Sequence, residues 1–491
     1  MSPKMYNVEK KDIVFATVPW TDTGLPLMAP AILKSIATKA NKTSVTIDLN
    51  IKATHFIEQS INKHEFIDFF RTGIAIPDIQ QQAFELFYEF AQTLLAHQPK
   101  VIGLSVFTYN CQASTQHLAL MIRKLSPDTK IIIGGSGLSV NFGSPVSFAQ
   151  TLLKNKLIDF FITGDGENAL YEYLTKSDSA VSGLNSDDWQ QLTNNDLLEL
   201  PIPDYDDYNL LQYATRNNRL VVPILGSRGC VRNCSFCDVH THWKKFTWRS
   251  GDHIFNEMLQ LQEKYSVRFF MFQDSLINGN LKEYRVLTRR LSEHNNALPS
   301  QERLNWGSFF ILRPATQFSE EEWKLTAESG AIALYVGIET FNDDARFHLG
   351  KKFTNQDIEF ALQMAKKYNI KLSLLFFTGY VTETSADNDF AVKWFEEHVE
   401  YKPWLSINLG TPLGITPNTP LDDNFDSLKL VRTGPDPEDW SNPSINNTPL
   451  QRIKWHQRLH ETVARLGYHQ LGGSDQRYIF ERMMREAANG Q

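Results

Sequence analysis

The chain has 491 residues, 42% of them hydrophobic and 12% aromatic, enough to bury two or three domain cores. Its 49 Lys and Arg against 56 Asp and Glu leave a formal charge of −7, which argues against a nucleic-acid-binding surface as its main business. No run approaches the ~20 apolar residues of a membrane span, residues 1–7 lack an apolar signal core, and the cysteines are few and clustered, so a reducing, cytoplasmic setting is expected.

In chain order, residues 12–170 alternate strand-like and helix-like runs and predict an α/β unit. Its strands are expected at 13–16, 44–49, 101–107, 130–133 and 159–162, with a largely helical, aromatic-rich insertion over 51–97. Ser105, Gly134, Gly135, Gly164, Gly166 and Glu167 fall at the C-terminal ends of three of these strands, where open α/β sheets bind ligands. Glycine at a strand-to-helix turn is also common without any ligand. Residues 198–220 read as a linker, because Pro201 and Pro203 block helix and Asp204, Asp206 and Asp207 favour solvent.

Next comes the run Gly226-Ser227-Arg228-Gly229-Cys230-Val231-Arg232-Asn233-Cys234-Ser235-Phe236-Cys237, which holds three of the four cysteines at the end of an apolar strand. A closed 4Fe–4S cluster needs one thiolate per iron, so three leave one iron able to take a small molecule. The alternative is a zinc knuckle in which His240 or His242 completes a tetrahedral site. Strands are then expected at 221–225, 267–272, 304–311, 331–337, 371–378 and 404–409, separated by helical segments that predict six βα units over 221–412. Ser319 with Glu322 makes a capping box and Thr354 with Asp357 approximates one. Right-handed crossovers would bring the cysteine loop, Asp274, Ser308, Arg313, Gly337, Ile338 and Glu339 to one rim.

After this, residues 413–447 are rich in Pro, Asn and Asp and read as an irregular segment, followed by helical runs at 450–466 and 474–488. His456, His460, Tyr468 and His469 are assigned to a helical cap, with substrate contact as the competing role. Cys111, the remaining cysteine, reads as a small buried apolar residue.

The C-x3-C-x2-C spacing, with aromatic Phe236 before the third cysteine, resembles the signature of radical S-adenosylmethionine (SAM) enzymes. Gly337-Ile338-Glu339-Thr340 resembles the segment that lies along the adenosine of SAM in that family. Residues 377–384 resemble its recurring G-x-x-x-E-T turn, and 198–209 its L-P-x-P-D connector. The N-terminal unit is similar to the flavodoxin-like cobalamin-binding domain that precedes the radical domain in a large subgroup. The matching pieces are Ile102-Gly103-Leu104-Ser105-Val106, Ile133-Gly134-Gly135-Ser136-Gly137 and Thr163-Gly164-Asp165-Gly166-Glu167. One departure stands out: Pro19-Trp20-Thr21-Asp22-Thr23-Gly24-Leu25-Pro26 lacks the cobalt-binding histidine that many such domains carry after the first strand.

The resemblance implies a doubly wound cobalamin-binding-type domain over 1–197, a partial (β/α)6 barrel over 221–412 and a helical C-terminal region over 413–491. It implies a 4Fe–4S cluster on Cys230, Cys234 and Cys237. SAM would lie on Phe236, Asp274, Ser308, Arg313, Gly337, Ile338 and Glu339, and cobalamin on Ser105, Gly134, Gly135, Gly164, Gly166 and Glu167. The implied partners are a small-molecule or natural-product substrate and a one-electron donor such as flavodoxin or ferredoxin. The leading reaction is methylation of an unactivated carbon, with radical cyclisation, oxidation or rearrangement as the alternative. A zinc-stabilised binding protein is the reading from another class. A methylthiotransferase is set aside, since its N-terminal domain would need a second cysteine trio and this one has only Cys111.

Overall fold

The computed structural model describes residues 8–21, 24–138, 146–176, 181, 183–213 and 219–472. Asp22, Thr23 and the helix expected at 474–488 lie outside the described residues. The chain divides into two compact units, 1–223 and 224–491.

The first unit is built on β1 (Ile13–Thr17), β2 (Ser44–Asp48), β3 (Val101–Ser105), β4 (Lys130–Gly134) and β5 (Phe160–Ile162). They form a parallel sheet in the order β2-β1-β3-β4-β5, the flavodoxin-like arrangement. Side chains alternate between the two faces of a strand, so β1 feeds two cores. Val14 and Ala16 join a cluster with Ile102, Leu104, Ile131 and Ile133, and Ile13 and Phe15 join another with Val101, Ile132 and Ile162. The insertion is three helices, Leu49–Gln59, Lys63–Thr72 and Pro77–Leu95. Phe66, Phe69, Phe70, Phe87 and Phe90, all buried, pack it on the first cluster, so much of its aromatic content is core. Cys111 is buried there too.

The second unit's sheet begins with β6 (Val221–Ile224), the strand at which the chain divides, and continues in sequential order through β7 (Phe269–Phe272), β8 (Asn305–Phe309), β9 (Ala331–Glu339), β10 (Lys371–Phe376), β11 (Leu405–Asn408) and β12 (His469–Gln470). Every pair from β7 onward is parallel. Helices Gly251–Tyr265, Leu281–Asn296, Glu320–Glu328, Asn355–Tyr368, Ser385–Glu397 and Pro449–Arg465 lie between successive strands. Strands joined in this way present their C-terminal ends along one edge. Both expected capping boxes form, and Thr384 with Asp387 makes a third.

The strand β12 was not expected from sequence. His469, assigned there to a helical cap, extends the sheet instead, and two residues are too few to show a period-2 pattern. Tyr468 is buried with its hydroxyl on the Phe395 carbonyl, 2.7 Å away. His456 is buried, and desolvation pushes it down to about 3, so it packs as a neutral imidazole. His460 is exposed.

The irregular segment after β11 packs down through Leu413, Ile415, Leu421, Leu430 and Trp440 onto Leu349, Phe377, Tyr380 and Val381. Arg452 anchors it from within. Its guanidinium donates to Asn447 Oδ1 (3.0 Å) and to the Glu438 (2.6 Å) and Trp440 (2.9 Å) carbonyls, and lies 3.8 Å from the Trp440 ring centroid. The arginine stem fills the space left by Gly379, where a Cβ would stand 1.9 Å from Cδ.

Gly330, ahead of β9, has φ +89°, and a Cβ there would meet the Leu304 carbonyl oxygen at 2.1 Å. Gly330→Ala is expected to lower the stability of the second unit by more than ~1 kcal/mol, read as a shift in its denaturant midpoint.

Candidate functional site

The cysteine loop leaves β6 and is closed at its base by a ribbon in which Ser227–Arg228 pairs antiparallel with Thr247–Trp248. Gly229, at φ +78°, makes the turn, where a Cβ would stand 2.8 Å from the Lys245 carbonyl oxygen. Three backbone contacts fix the rest. Ser235 N–H donates to the Leu349 carbonyl (2.9 Å), Leu421 N–H donates to the Ser235 carbonyl (2.8 Å), and Cys237 N–H donates to the Cys234 carbonyl (3.1 Å). Gly350, at φ +90°, lets the chain after β9 run against the loop, with a virtual Cβ 2.9 Å from the Asn233 carbonyl oxygen and 3.4 Å from Cys234 Cα.

Cys234 is buried, and Cys230 and Cys237 are half-buried. Burial raises all three thiols, Cys237 to about 12, while the cations of Lys351 and Arg232 oppose the shift at Cys230 and Cys234. A single zinc ion needs ligands converging at about 2.0–2.3 Å. Among the described residues no three His, Cys, Asp or Glu are arranged to hold one ion. His240 is turned to the Arg232 carbonyl, and His242 lies 3.9 Å from Asp238. Three thiols on one half-buried loop fit a 4Fe–4S cluster, in which each thiolate takes its own iron and no common point is needed.

The other rim residues fall into two groups. Gly337, Ile338 and Glu339 end β9 beside the loop. Glu339 takes φ +65°, unusual for a residue with a side chain, and a register shift separates it from Gly337 in the pairing with β10. Its Oε1 receives Lys351 Nζ at 2.8 Å, and the same ammonium donates to the Gly337 carbonyl at 3.0 Å. Phe236 packs edge-on to Phe377, centroids 5.2 Å apart, with Lys351 Nζ 6.0 Å from its own ring centroid. These residues and the cysteines are brought together.

Asp274, Ser308 and Arg313 are engaged elsewhere. Asp274 is buried at the end of β7, where Oδ2 accepts the Gly226 N–H at 2.8 Å and steadies the exit of β6. Ser308 is fully buried on β8, its hydroxyl on the Phe309 carbonyl. Arg313 donates through Nη2 to the Asn278 (3.0 Å) and Gly279 (3.4 Å) carbonyls, while its buried Nε has no hydrogen-bond partner among the described residues.

In the first unit the glycines divide. A Cβ on Gly135 would meet the Val106 carbonyl oxygen at 2.5 Å, and one on Gly164 the Gln190 carbonyl oxygen at 2.3 Å. The chain's own backbone demands both. Among the described residues, Gly134 and Gly166 meet nothing closer than 3.5 Å and 3.8 Å. With half-buried Ser105 and the exposed rings of Phe107 and Tyr109, they form a strand-end rim that the described residues leave uncrowded. Glu167 is buried in the first turn of the helix Glu167–Thr175, where the helix dipole favours a carboxylate.

Sequence reasoning missed Lys351 and Arg346, and placed Tyr380 in the 377–384 turn without a role of its own. Arg346 is fully buried and ties down the turn after Glu339, donating to the Thr340 carbonyl and to Asn355 Oδ1. Tyr380 bridges the His348 ring (2.5 Å) and the Ser235 hydroxyl (3.3 Å). Glu383, of the G-x-x-x-E-T turn, receives the Gly379 and Tyr380 N–H groups at 2.6 and 3.1 Å. Single lysines, arginines and tyrosines in loops carry no periodic signal. Only tertiary contacts reveal them.

Residues 224–428 match the radical SAM superfamily, so the chain carries a radical SAM domain. Cytidylyl-2-hydroxyethylphosphonate methyltransferase of Streptomyces wedmorensis is 24% identical over 286 residues, which are 49% of this chain and 50% of that protein. Anaerobic magnesium-protoporphyrin IX monomethyl ester cyclase of Synechocystis sp. is 22% identical over 64% of this chain and 62% of the relative. The chain thus spans about half to three-fifths of these relatives. Among solved structures, the radical SAM methyltransferase TsrM from Kitasatospora setae, with cobalamin and a [4Fe-4S] cluster bound, superposes with TM-score 0.62 at 15% identity, over 92% of this chain and 88% of that one. The cobalamin-dependent SAM radical enzyme OxsB superposes with TM-score 0.56 at 16% identity, over 86% and 55%. At these identities the likeness is one of fold.

Burial raises Asp274 from 3.8 to about 7 and Glu383 from 4.5 to about 7. The folded chain therefore holds these protons more tightly than the unfolded chain, and the stability they contribute is lost as pH rises from about 4 to about 7. Asp274→Asn is expected to flatten that slope, leaving the part due to Glu383, in denaturant midpoints measured across the same range.

Proposed function

We propose that this chain is a radical SAM enzyme that methylates an unactivated carbon of a small molecule with the help of cobalamin. The observation that carries the reading is the three-cysteine loop at a strand-end rim of a sequentially ordered parallel sheet, set against the Gly337–Glu339 strand end, within a segment that matches the radical SAM superfamily. The flavodoxin-like strand order of the first unit and its open rim at Ser105, Gly134 and Gly166 support cobalamin. So do the cobalamin-bound structures of similar fold, while the methyltransferase among the relatives supports methyl transfer.

When bound, the cluster and SAM supply a 5′-deoxyadenosyl radical and cobalamin carries the methyl group. The chain's own residues hold and orient. Cys230, Cys234 and Cys237 would hold the cluster through one iron each, which would leave one iron open to SAM. Gly337 and Ile338 end β9 beside the loop, where the space left by Gly337 holds the fixed charge pair of Glu339 and Lys351. Arg313 is held by the Asn278 and Gly279 carbonyls, and its buried Nε has no hydrogen-bond partner among the described residues. The buried packing of Phe236, Phe377 and Tyr380 excludes water from one side of the cysteine loop. A one-electron donor such as flavodoxin or ferredoxin, in a reducing cytoplasm, completes the reading.

The test is iron, cobalt and zinc per chain after anaerobic reconstitution with iron, sulfide and hydroxocobalamin, together with assay of 5′-deoxyadenosine from SAM. About four irons and one cobalt are expected, with 5′-deoxyadenosine lost in Cys234→Ala. Four irons without cobalt would remove the methyl carrier and keep the radical enzyme; stoichiometric zinc with little iron would remove both. Gly134→Leu, which fills the rim of the first unit, is expected to lower cobalt per chain severalfold while iron stays near four.

A further inference from the structure

Lys351 is a lysine held where lysines are rarely left, with its side chain only 16% exposed, and the ion pair it makes is with Glu339, itself 10% exposed. The backbone is shaped to hold this pair. Glu339 accepts a left-handed conformation, Gly337 gives the pair space, and a Cβ at 337 would stand 2.3 Å from Glu339 Oε1 and 2.7 Å from Lys351 Nζ. Gly350 then presses the same segment against the Asn233–Cys234 backbone, and Phe236, next to Cys237, turns its ring toward the ammonium. A surface lysine needs none of these arrangements.

We propose that Lys351, seated on Glu339 and the Gly337 carbonyl, is an electrostatic positioning residue that sets how readily a cluster on Cys230, Cys234 and Cys237 accepts an electron. The inference rests on the radical SAM reading. Reduction adds one negative charge to the cluster, and a buried cation beside the loop stabilises that charge more than one in water would. The facing carboxylate partly offsets it. The two members of the pair therefore push the reduction potential in opposite directions: Lys351 raises it and Glu339 lowers it.

The experiment is an EPR-monitored redox titration of the reconstituted full-length protein, without substrate, normalised to iron and sulfide content. Lys351→Met is expected to lower the ratio of reduced to oxidised cluster at a fixed poise about tenfold, about 59 mV for a one-electron couple. Glu339→Gln is expected to shift it the other way, and Lys351→Arg to stay near the wild type. A merely structural pair would change how much cluster is retained and leave the potential of the retained cluster alone. Unchanged potentials in both variants, or shifts of the same sign, overturn the proposal. If the wild-type chain assembles no four-iron cluster, it is the radical SAM reading that fails, an outcome separate from the first.

Discussion

A loop carrying three thiols has no hydrogen-bonded ladder of its own, so its shape is set by what neighbouring backbone offers it. Here that support comes from three places distant in sequence. Asp274 grips Gly226 where the loop begins, the Leu349 carbonyl takes the Ser235 N–H in its middle, and Leu421 holds the Ser235 carbonyl from the irregular segment beyond β11. Two of these contacts use backbone and not side chains. They depend on glycines at 229 and 350 that let chains approach closer than a Cβ allows.

The same economy explains the segment beyond β11. It has little regular structure, and it is fixed by buried apolar side chains and by one buried guanidinium. Burial lowers Arg452 to about 9. The cation is held by two carbonyls, an amide oxygen and an indole face, and among the described residues no carboxylate hydrogen-bonds to it. Phe236 packs on the margin of that apolar cluster, so the cysteine loop and the C-terminal segment share a core. Order in one is thereby coupled to order in the other.

The strands were legible because their signal is local. Residues 13–16 and 331–337, read as strands from apolar runs, are strands, and the capping pairs Ser319–Glu322 and Thr354–Asp357 form as their spacing required. The three cysteines were legible because few chemistries want that spacing. What escaped was whatever depends on a fold already formed. Lys351 follows the short helix Asp343–His348 and a glycine turn, and nothing nearby distinguishes it from Lys352. Asp274 reads from sequence as a ligand contact, and its structural partner, a backbone N–H 48 positions away, is invisible until β6 and β7 lie side by side. The glycines at 134 and 135 look alike in sequence, yet only the second is demanded by the chain's own carbonyl.

The sheet of the second unit is open, and open parallel sheets have two margins that invite another strand. Neither margin here is inviting. On one side the last strand, β6, carries Pro223, which has no N–H to offer a newcomer. On the other, β12 is two residues long, with polar His469 and Gln470 covering part of the β11 edge. Blunted margins of this kind give a neighbouring chain little edge to pair with.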